Sequence, residues 1–197
     1  TLSHEGFPGH LYQTIYFLKT SPADIRTLIT SSGYVEGWAT YIESYGYQYA
    51  ARDLDDPAAT DYTRLIALNR RINLCLYSLL DIGIHYYGWD ETQAARLLQF
   101  FGITDAHVVS EIFQYIVETP ANYQKYCWGC LNFLDLKKEW KDTLGDDFNL
   151  KAFHQNLLEI GPVQFPVLQK YMNERLQKKY KEVPVRTSHF MTVYNIF

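Results

Sequence analysis

Residues 57–87 read PAATDYTRLIALNRRINLCLYSLLDIGIHYY, and this pattern predicts one long α-helix. Pro57 suits the first turn of a helix, because the amide hydrogen that proline lacks has no partner there. Apolar side chains then recur three or four residues apart, which places them along one side of the helix. They are Leu65, Leu68, Ile72, Leu76 and Leu79. So long a helical segment in a small chain indicates an all-α protein.

The rest of the sequence shows the same helical spacing, with breaks at glycine, proline and capping residues. No interior segment alternates polar and apolar residues as a strand does. Ser21 is expected to cap the helix that follows it, and Asp90 with Gln93 to cap a later one. Thr104 or Asp105 is expected to cap the next. We therefore predict an all-α fold of about nine helices, near residues 10–19, after Ser21, and near 35–53, 57–87, 90–102, 105–117, 120–140, 149–160 and 163–181.

One domain is expected over residues 1–182, followed by an extended tail over residues 183–197. At 197 residues the chain is long enough to bury a sizeable core. The sequence begins at Thr1 without a methionine, and the motif richest in potential catalytic side chains begins at residue 4. We therefore expect the carboxy-terminal part of a longer helical protein whose amino-terminal half is missing.

Composition and charge narrow the possible partners. The formal net charge is −4, and the only cationic run, residues 175–181, has the pattern of a solvated helix face. Nucleic acid is therefore not expected as a partner. No apolar stretch reaches the ~20 residues of a membrane-spanning helix, and no signal peptide is visible. The compartment stays open between a secreted protein or lipoprotein and a cytoplasmic protein.

Two histidines in the segment HEGFPGH, residues 4–10, are candidate metal ligands. The usual zinc signature, H-E-x-x-H, puts both imidazoles on one face of a regular helix. His4 and His10 would instead point about 240° apart on an unbroken helix. Pro8 and Gly9 lie between them and favour a bulge or a break, which would bring the imidazoles back together. The alternative is a loop with two histidines ahead of a helix.

Three acids complete the candidate metal site. Glu5, beside His4, can take a proton from a zinc-bound water and pass it to a leaving amine. Glu36 is the natural third ligand, because an acid on a neighbouring helix completes many zinc peptidase sites. Glu43 lies on the same helix face and could orient one imidazole, as metal-bound histidines usually require. The alternative for Glu36 and Glu43 is a pair of solvated helix acids.

Residues 4–10 match H-E-x-x-P-G-H in full, and residues 36–43 match E-G-W-A-x-Y-x-E. These motifs resemble those of the bacterial family known as domain of unknown function 885, which is grouped with the zincin-like metallopeptidases. The resemblance runs from His4 to about residue 172 and corresponds to the family's carboxy-terminal half. It implies one zinc ion and a general base, with His4, His10 and Glu36 as ligands and Glu5 as the base.

Three later segments, residues 81–89, 120–129 and 148–154, also resemble the family. The resemblance makes Tyr126 a candidate donor to the oxyanion that forms in peptide hydrolysis; with 17 tyrosines in the chain, packing is the alternative. His85 could serve the same end or bind a substrate carboxylate. Its alternative is a cap on the last carbonyls of its helix.

Four residues depart from the family pattern. Ala121 and Asn122 stand where Gly-Gln is expected, Tyr77 where arginine is expected, and Asn149 where aspartate is usual. Because both metal motifs are intact, these departures bear on substrate specificity more than on metal binding.

The three cysteines, Cys75, Cys127 and Cys130, are too few and odd in number for a disulfide framework. The pair in Cys127-x-x-Cys130 has neither the βαβ setting of a redox motif nor the second pair of a structural zinc site. We interpret these cysteines as small residues of a packed helix.

The function predicted from these observations is that of a zinc-dependent metallopeptidase acting on a peptide substrate. One alternative is a non-catalytic binding or scaffold domain that retains the fold. Another is a zinc hydrolase that acts on an ester or on a non-peptide amide. If the walls of the substrate site lie in the missing half, this chain is inactive by itself.

Overall fold

The computed structural model describes residues 2–53 and 56–179. Within these ranges the chain is all-α, as predicted, with ten α-helices, one turn of 3-10 helix at Gly145–Asp147 and no strand. Nine helices correspond to the expected ones, and α1 is additional. The predicted tail, residues 183–197, lies outside the described residues. The helices are α1 (Leu2–Glu5), α2 (His10–Lys19), α3 (Asp24–Leu28), α4 (Ser32–Asp53), α5 (Ala59–His85), α6 (Glu91–Phe100), α7 (Ala106–Glu118), α8 (Gln124–Leu144), α9 (Leu150–Ile160) and α10 (Phe165–Lys179).

Side-chain caps begin α6 and α7 at predicted positions. Asp90 accepts a hydrogen bond from the Gln93 amide, and the Gln93 side chain accepts one from the Asp90 amide. Asp105 accepts from two amides of the first turn of α7. The expected cap at Ser21 is wrong, because α3 begins only after Ala23, which forms no side-chain cap. Ser21, with φ of 53°, belongs to the turn that ends α2.

The main core lies between α4, α8, α9 and α10. Tyr34 and Trp38 of α4 are fully buried against Phe133 of α8. The Tyr34 hydroxyl donates to the carbonyl of Leu157 in α9 at 2.7 Å, so this buried polar group is satisfied. Aromatic side chains bury large areas. The core therefore fixes the position of α4, the helix that carries Glu36 and Glu43.

A second, smaller core joins α5, α6 and α7. Leu80 of α5, Leu98 of α6 and Ile116 of α7 are completely buried in it. The same helix α5 also packs against α4 and α8. The middle of α5 thus reaches the candidate site, where Arg70 and Leu74 form part of a wall.

The apolar stripes that predicted α2 and α5 are largely exposed. The stripe of α2 is exposed at each of its three positions, whereas the buried residues of this helix are Gln13 and Phe17. A helix buries the side that meets its neighbours, and α2 meets α4 and α9 with that other side. None of the described helices combines the length and the apolar character that crossing a membrane requires. The exposed stripe residues are Leu11, Ile15 and Leu18 in α2 and Leu65, Leu68 and Ile72 in α5.

Candidate metal centre

A break in the chain between α1 and α2 brings two histidines together. The residues between Glu5 and His10 form bends rather than helix. The ring centroids of His4 and His10 lie 4.9 Å apart, with the ring planes at 88°. Gly9 permits this geometry, because a Cβ there would overlap the main-chain carbonyl of His4. The break predicted from Pro8 and Gly9 is therefore present.

Helix α4 supplies an acid to the two histidines. Trp38, buried in the main core, donates its indole N–H to the carbonyl of Pro8 at 3.0 Å and so anchors the break against α4. Two residues before Trp38 on the same helix, Glu36 places Oε2 3.2 Å from His10 Nε2 and 3.7 Å from His4 Nε2. The structure thus brings together the three predicted metal ligands.

The arrangement of these three side chains fits a zinc ion. Zinc binds imidazole and carboxylate at about 2.0–2.1 Å, and a tetrahedral site of that size holds its ligand atoms about 3.3 Å apart. The separations of 3.2 and 3.7 Å lie near this value. Two imidazoles and one carboxylate leave one position open, as catalytic zinc sites do. Among the described residues, His4, His10 and Glu36 are the one group found with this capacity.

The outer nitrogens of the two imidazoles have different surroundings. His4 Nδ1 lies 3.5 Å from Glu43 Oε2, the position that an orienting acid would take. Burial raises the pKa of Glu43, but the interaction with His4 and the charge of Arg70 outweigh it, so this pKa lies below its ordinary value. The carboxylate therefore stays charged. His10 Nδ1 is buried and has no hydrogen-bond partner within residues 2–53 and 56–179.

The candidate centre lies beside a cleft of about 470 Å³, and of its three residues His4 lines the cleft wall. Glu5, the predicted general base, is exposed and lines this cleft beside His4. The other walls come from α4, α5, α7 and the start of α8, so substrate would meet residues from distant parts of the chain. They are Glu43, Tyr47, Arg70, Leu74, Tyr115, Asn122, Tyr123 and Tyr126.

Tyr126 lies beside the candidate centre at the start of α8. Its ring centroid is 6.3 Å from that of His4. Burial raises the pKa of its hydroxyl, and the charge of Glu36 and a hydrogen bond with that carboxylate raise it further. The hydroxyl therefore keeps its proton at neutral pH and can donate. The neighbouring Lys125 places Nζ 3.8 Å from Glu36 Oε1 and offsets part of the acid's charge.

His85, the other predicted catalytic residue, is not placed with this group. Its Nε2 lies 2.9 Å from the carbonyl oxygen of Ile116, in the last turn of α7, and 3.6 Å from Asp81 Oδ1. It is absent from the cleft walls formed by the described residues. A cap on the last carbonyls of its own helix is the alternative role that the sequence allows for His85. The structure shows a contact of that kind, but the carbonyl belongs to α7 rather than to α5. The contacts tie the two helices together.

The departures from the family pattern have local structural consequences. Ala121 has φ of 60°, a left-handed conformation that glycine adopts without strain, and its amide donates to Asp81 Oδ1 at 3.0 Å. Asn149 caps α9 by accepting from the Ala152 amide, as aspartate would. Tyr77 stacks on Tyr123, a residue of the cleft wall, with ring centroids 4.7 Å apart.

Several residues near the site were not predicted from the sequence. Arg70, Tyr47 and Lys125 belong to no metal or catalytic motif, and only helix packing brings them to the centre. Cys75 and Cys127 place their sulfurs 3.6 Å apart although they lie 52 residues apart in the chain. Of the two cysteines interpreted as small residues of a packed helix, Cys130 is buried and Cys127 is partly exposed.

Comparison with known proteins gives solved structures that resemble most of this chain. The chain is 28% identical to "the putative lipoprotein from Colwellia psychrerythraea", over 89% of this chain and 29% of that one, with a TM-score of 0.70. It is 26% identical to "a putative lipoprotein of unknown function" from Shewanella oneidensis, over 89% of this chain and 30% of that one, with a TM-score of 0.67. The chain thus spans less than a third of either solved relative. Among curated proteins, none matches.

A family model described as "Bacterial protein of unknown function (DUF885)" matches residues 1–172. The match covers both metal motifs and every helix from α1 to α9. The chain therefore belongs to the DUF885 family of bacterial proteins of unknown function.

Proposed function

We propose that the protein is a zinc-dependent, zincin-like metallopeptidase. The observation that carries this proposal is the meeting of His4, His10 and Glu36 beside a cleft that His4 and Glu5 line. The donor types and their separations suit zinc, and the cleft gives a substrate access to the open position. The chain spans less than a third of either solved relative, so the proposed activity is that of a full-length protein of similar size.

Each side chain has a definite task in this proposal. Zinc, when bound, would lower the pKa of a coordinated water to about 7 and polarise a peptide carbonyl. Glu5 would accept the proton of the attacking water and deliver it to the leaving amine. Tyr126, which keeps its proton at neutral pH, would donate to the oxygen on which negative charge develops. Glu43 would hold the His4 imidazole in position from its Nδ1 side.

A cell-envelope location is part of the same proposal. Both solved relatives are described as a "putative lipoprotein". This favours a lipoprotein over a cytoplasmic protein for the full-length parent, and cell fractionation distinguishes the two.

Zinc content and peptide turnover of matched variants test the proposal. Protein purified without chelator is expected to carry about one zinc per chain. The Glu5→Gln variant should retain zinc, because Glu5 is not a ligand, but lose turnover by about 10²–10⁴-fold. Glu36→Gln should lose zinc as well as turnover. Glu91→Gln, which alters an exposed acid of α6, is the control and should change neither.

Other results would point to the other functions. A protein without zinc and without peptide turnover would be a binding or scaffold domain. A zinc-containing protein that hydrolyses esters or non-peptide amides, but nothing in a peptide library, would be a hydrolase of another class. Normal peptide turnover by Glu5→Gln would exclude Glu5 as the general base.

A further inference from the structure

We propose that the cleft takes the carboxy-terminal residue of a peptide, whose free carboxylate binds Arg70 and whose apolar or aromatic side chain lies against the tyrosines of the wall. This inference rests on the proposed peptidase function and names its substrate class. The protein would then remove residues from the carboxy-terminal end rather than cut within a chain.

Arg70 lines the same cleft as His4, Glu5 and Tyr126. Its Nε lies 3.7 Å from Glu43 Oε2, and the same oxygen lies 3.5 Å from His4 Nδ1. Glu43 therefore links the guanidinium of Arg70 to His4, a candidate zinc ligand. Burial raises the pKa of Tyr47 and of Tyr126, and the charge of Arg70 acts against this rise at both residues. Arg70 thus lies within electrostatic reach of both rings.

The guanidinium of Arg70 is available to a ligand. Its side chain is 47% exposed, and its contact with Glu43 is made through Nε. No described residue accepts a hydrogen bond from its two Nη nitrogens. Among the described residues that line the cleft, Arg70 is the one lysine or arginine. A planar guanidinium binds carboxylates through two parallel hydrogen bonds, so a substrate carboxylate fits this position.

The remaining wall of the cleft suits an apolar or aromatic side chain. Leu74, one turn after Arg70 on α5, is buried, and tyrosine rings flank it. Tyr123 is held in place by the stacked ring of Tyr77. The volume of about 470 Å³ is within the range of small-molecule sites, which is roughly 300–1,000 Å³. Tyrosine offers an apolar face to a side chain and a hydroxyl to solvent or backbone.

The proposal predicts a preference that matched peptides measure. Three peptides share one sequence except at the last residue. One ends in phenylalanine with a free carboxylate, one in amidated phenylalanine, and one in amidated glutamate. We expect kcat/KM to be about 10-fold or more higher for the free acid than for its amide, since hydrogen bonds to charged groups are the stronger ones. The difference should lie mainly in KM, because the carboxylate contact persists from bound substrate to transition state. Rapid cleavage of the glutamate peptide would show that Arg70 binds a side-chain carboxylate and would overturn the assignment to the chain end.

Variants of adjacent arginines identify the residue responsible. Arg70→Gln should abolish the preference for the free acid, and Arg70→Lys should restore part of it, since lysine keeps the charge but loses the planar fork. Arg71→Gln, which removes the neighbouring charge outside the cleft wall, should keep the full preference. An equal preference in wild type and Arg70→Gln would overturn the inference.

A binding measurement separates this inference from the proposed function. The same free-acid and amidated peptides, labelled with a fluorophore at the amino terminus, are titrated against the Glu5→Gln protein and against its Arg70→Gln double variant. A tighter Kd for the free acid that depends on Arg70 supports the carboxylate site even if no peptide is cleaved. Cleavage of both peptides at equal rates would retain the peptidase function and overturn the carboxylate site.

Discussion

Contact between Cys75 of α5 and Cys127 of α8 changes the pKa of the Cys75 thiol. Their sulfurs lie 3.6 Å apart. The hydrogen bond from Cys127 lowers the pKa of Cys75 to about 6, with help from Arg71 and against the effect of burial. Burial instead raises the pKa of Cys130 to about 11. The reactive nucleophile is the thiolate, so we expect Cys75 to react faster than Cys130.

Alkylation with iodoacetamide tests this difference. At pH 7 Cys75 should be labelled well before Cys130, because the first thiol is then mostly ionised and exposed while the second is protonated and buried. The labelling rate of Cys75 should rise through about pH 6 and level off above it. Peptide mass spectrometry after timed quenching measures both rates, and Cys127→Ala, which removes the hydrogen-bond donor, should move the Cys75 midpoint to higher pH. A Cys75 rate that still rises between pH 8 and 9 would contradict the assignment.

At the scale of elements, the close approach of α4 and α8 determines the geometry of the centre. Gly37 of α4 and Gly129 of α8 face each other, and a Cβ on Gly37 would lie 2.5 Å from the carbonyl carbon of Gly129. Gly37 directly follows Glu36, and Gly129 lies one turn after Tyr126. The distance between these two helices therefore also sets the distance between the acid and the tyrosine.

Substituting alanine for Gly37 is expected to separate the two helices. The added methyl group meets main-chain atoms, which cannot rotate away, so the free energy of unfolding should fall by about 1–3 kcal/mol. Gly33→Ala on the same helix is the matched control, because its Cβ would contact only the Phe165 ring at 3.5 Å. Urea denaturation compares both with wild type. A loss in Gly33→Ala as large as that in Gly37→Ala would show that helix approach is not the cause.

At the scale of the whole molecule, His154 links the main core to the pH dependence of stability. Its Nε2 lies 2.8 Å from the Tyr41 hydroxyl, and Trp38, Tyr45 and Phe153 surround its ring. Burial lowers its pKa to about 4 from the ordinary 6.5, and the charge of Lys137 acts in the same direction. The folded protein therefore keeps this imidazole neutral at pH values where the unfolded chain binds a proton.

This difference predicts a loss of stability on acidification. Above pH 6.5 neither state protonates His154; as the pH falls towards about 4, only the unfolded state gains the proton, so the free energy of unfolding decreases. The contribution is on the order of 3 kcal/mol and is constant well below pH 4. Urea denaturation between pH 8 and 4, with chelator present, should show a shallower decline for His154→Gln than for wild type. Parallel declines would exclude His154 as a source.

Much of the helical framework could be predicted because it depends on local interactions. Hydrogen bonds within a helix join residues four apart, and caps such as Asp90 act within three residues, so both can be recognised in the sequence. The candidate ligands were predicted from two compact motifs and from the break at Pro8 and Gly9. The apolar stripe of α2 indicated a helix, but the side it buries depends on where α4 and α9 lie.

The sequence by itself determined the all-α class, most helix bounds, and the choice of His4, His10 and Glu36 as candidate ligands. Only the tertiary structure decided that Arg70 joins the cleft, that Cys75 meets Cys127, and that His85 contacts α7 instead. The physical reason is the separation along the chain over which each interaction acts. Helix formation and capping are settled between near neighbours, whereas these contacts depend on how whole helices pack around two cores, which no local pattern encodes.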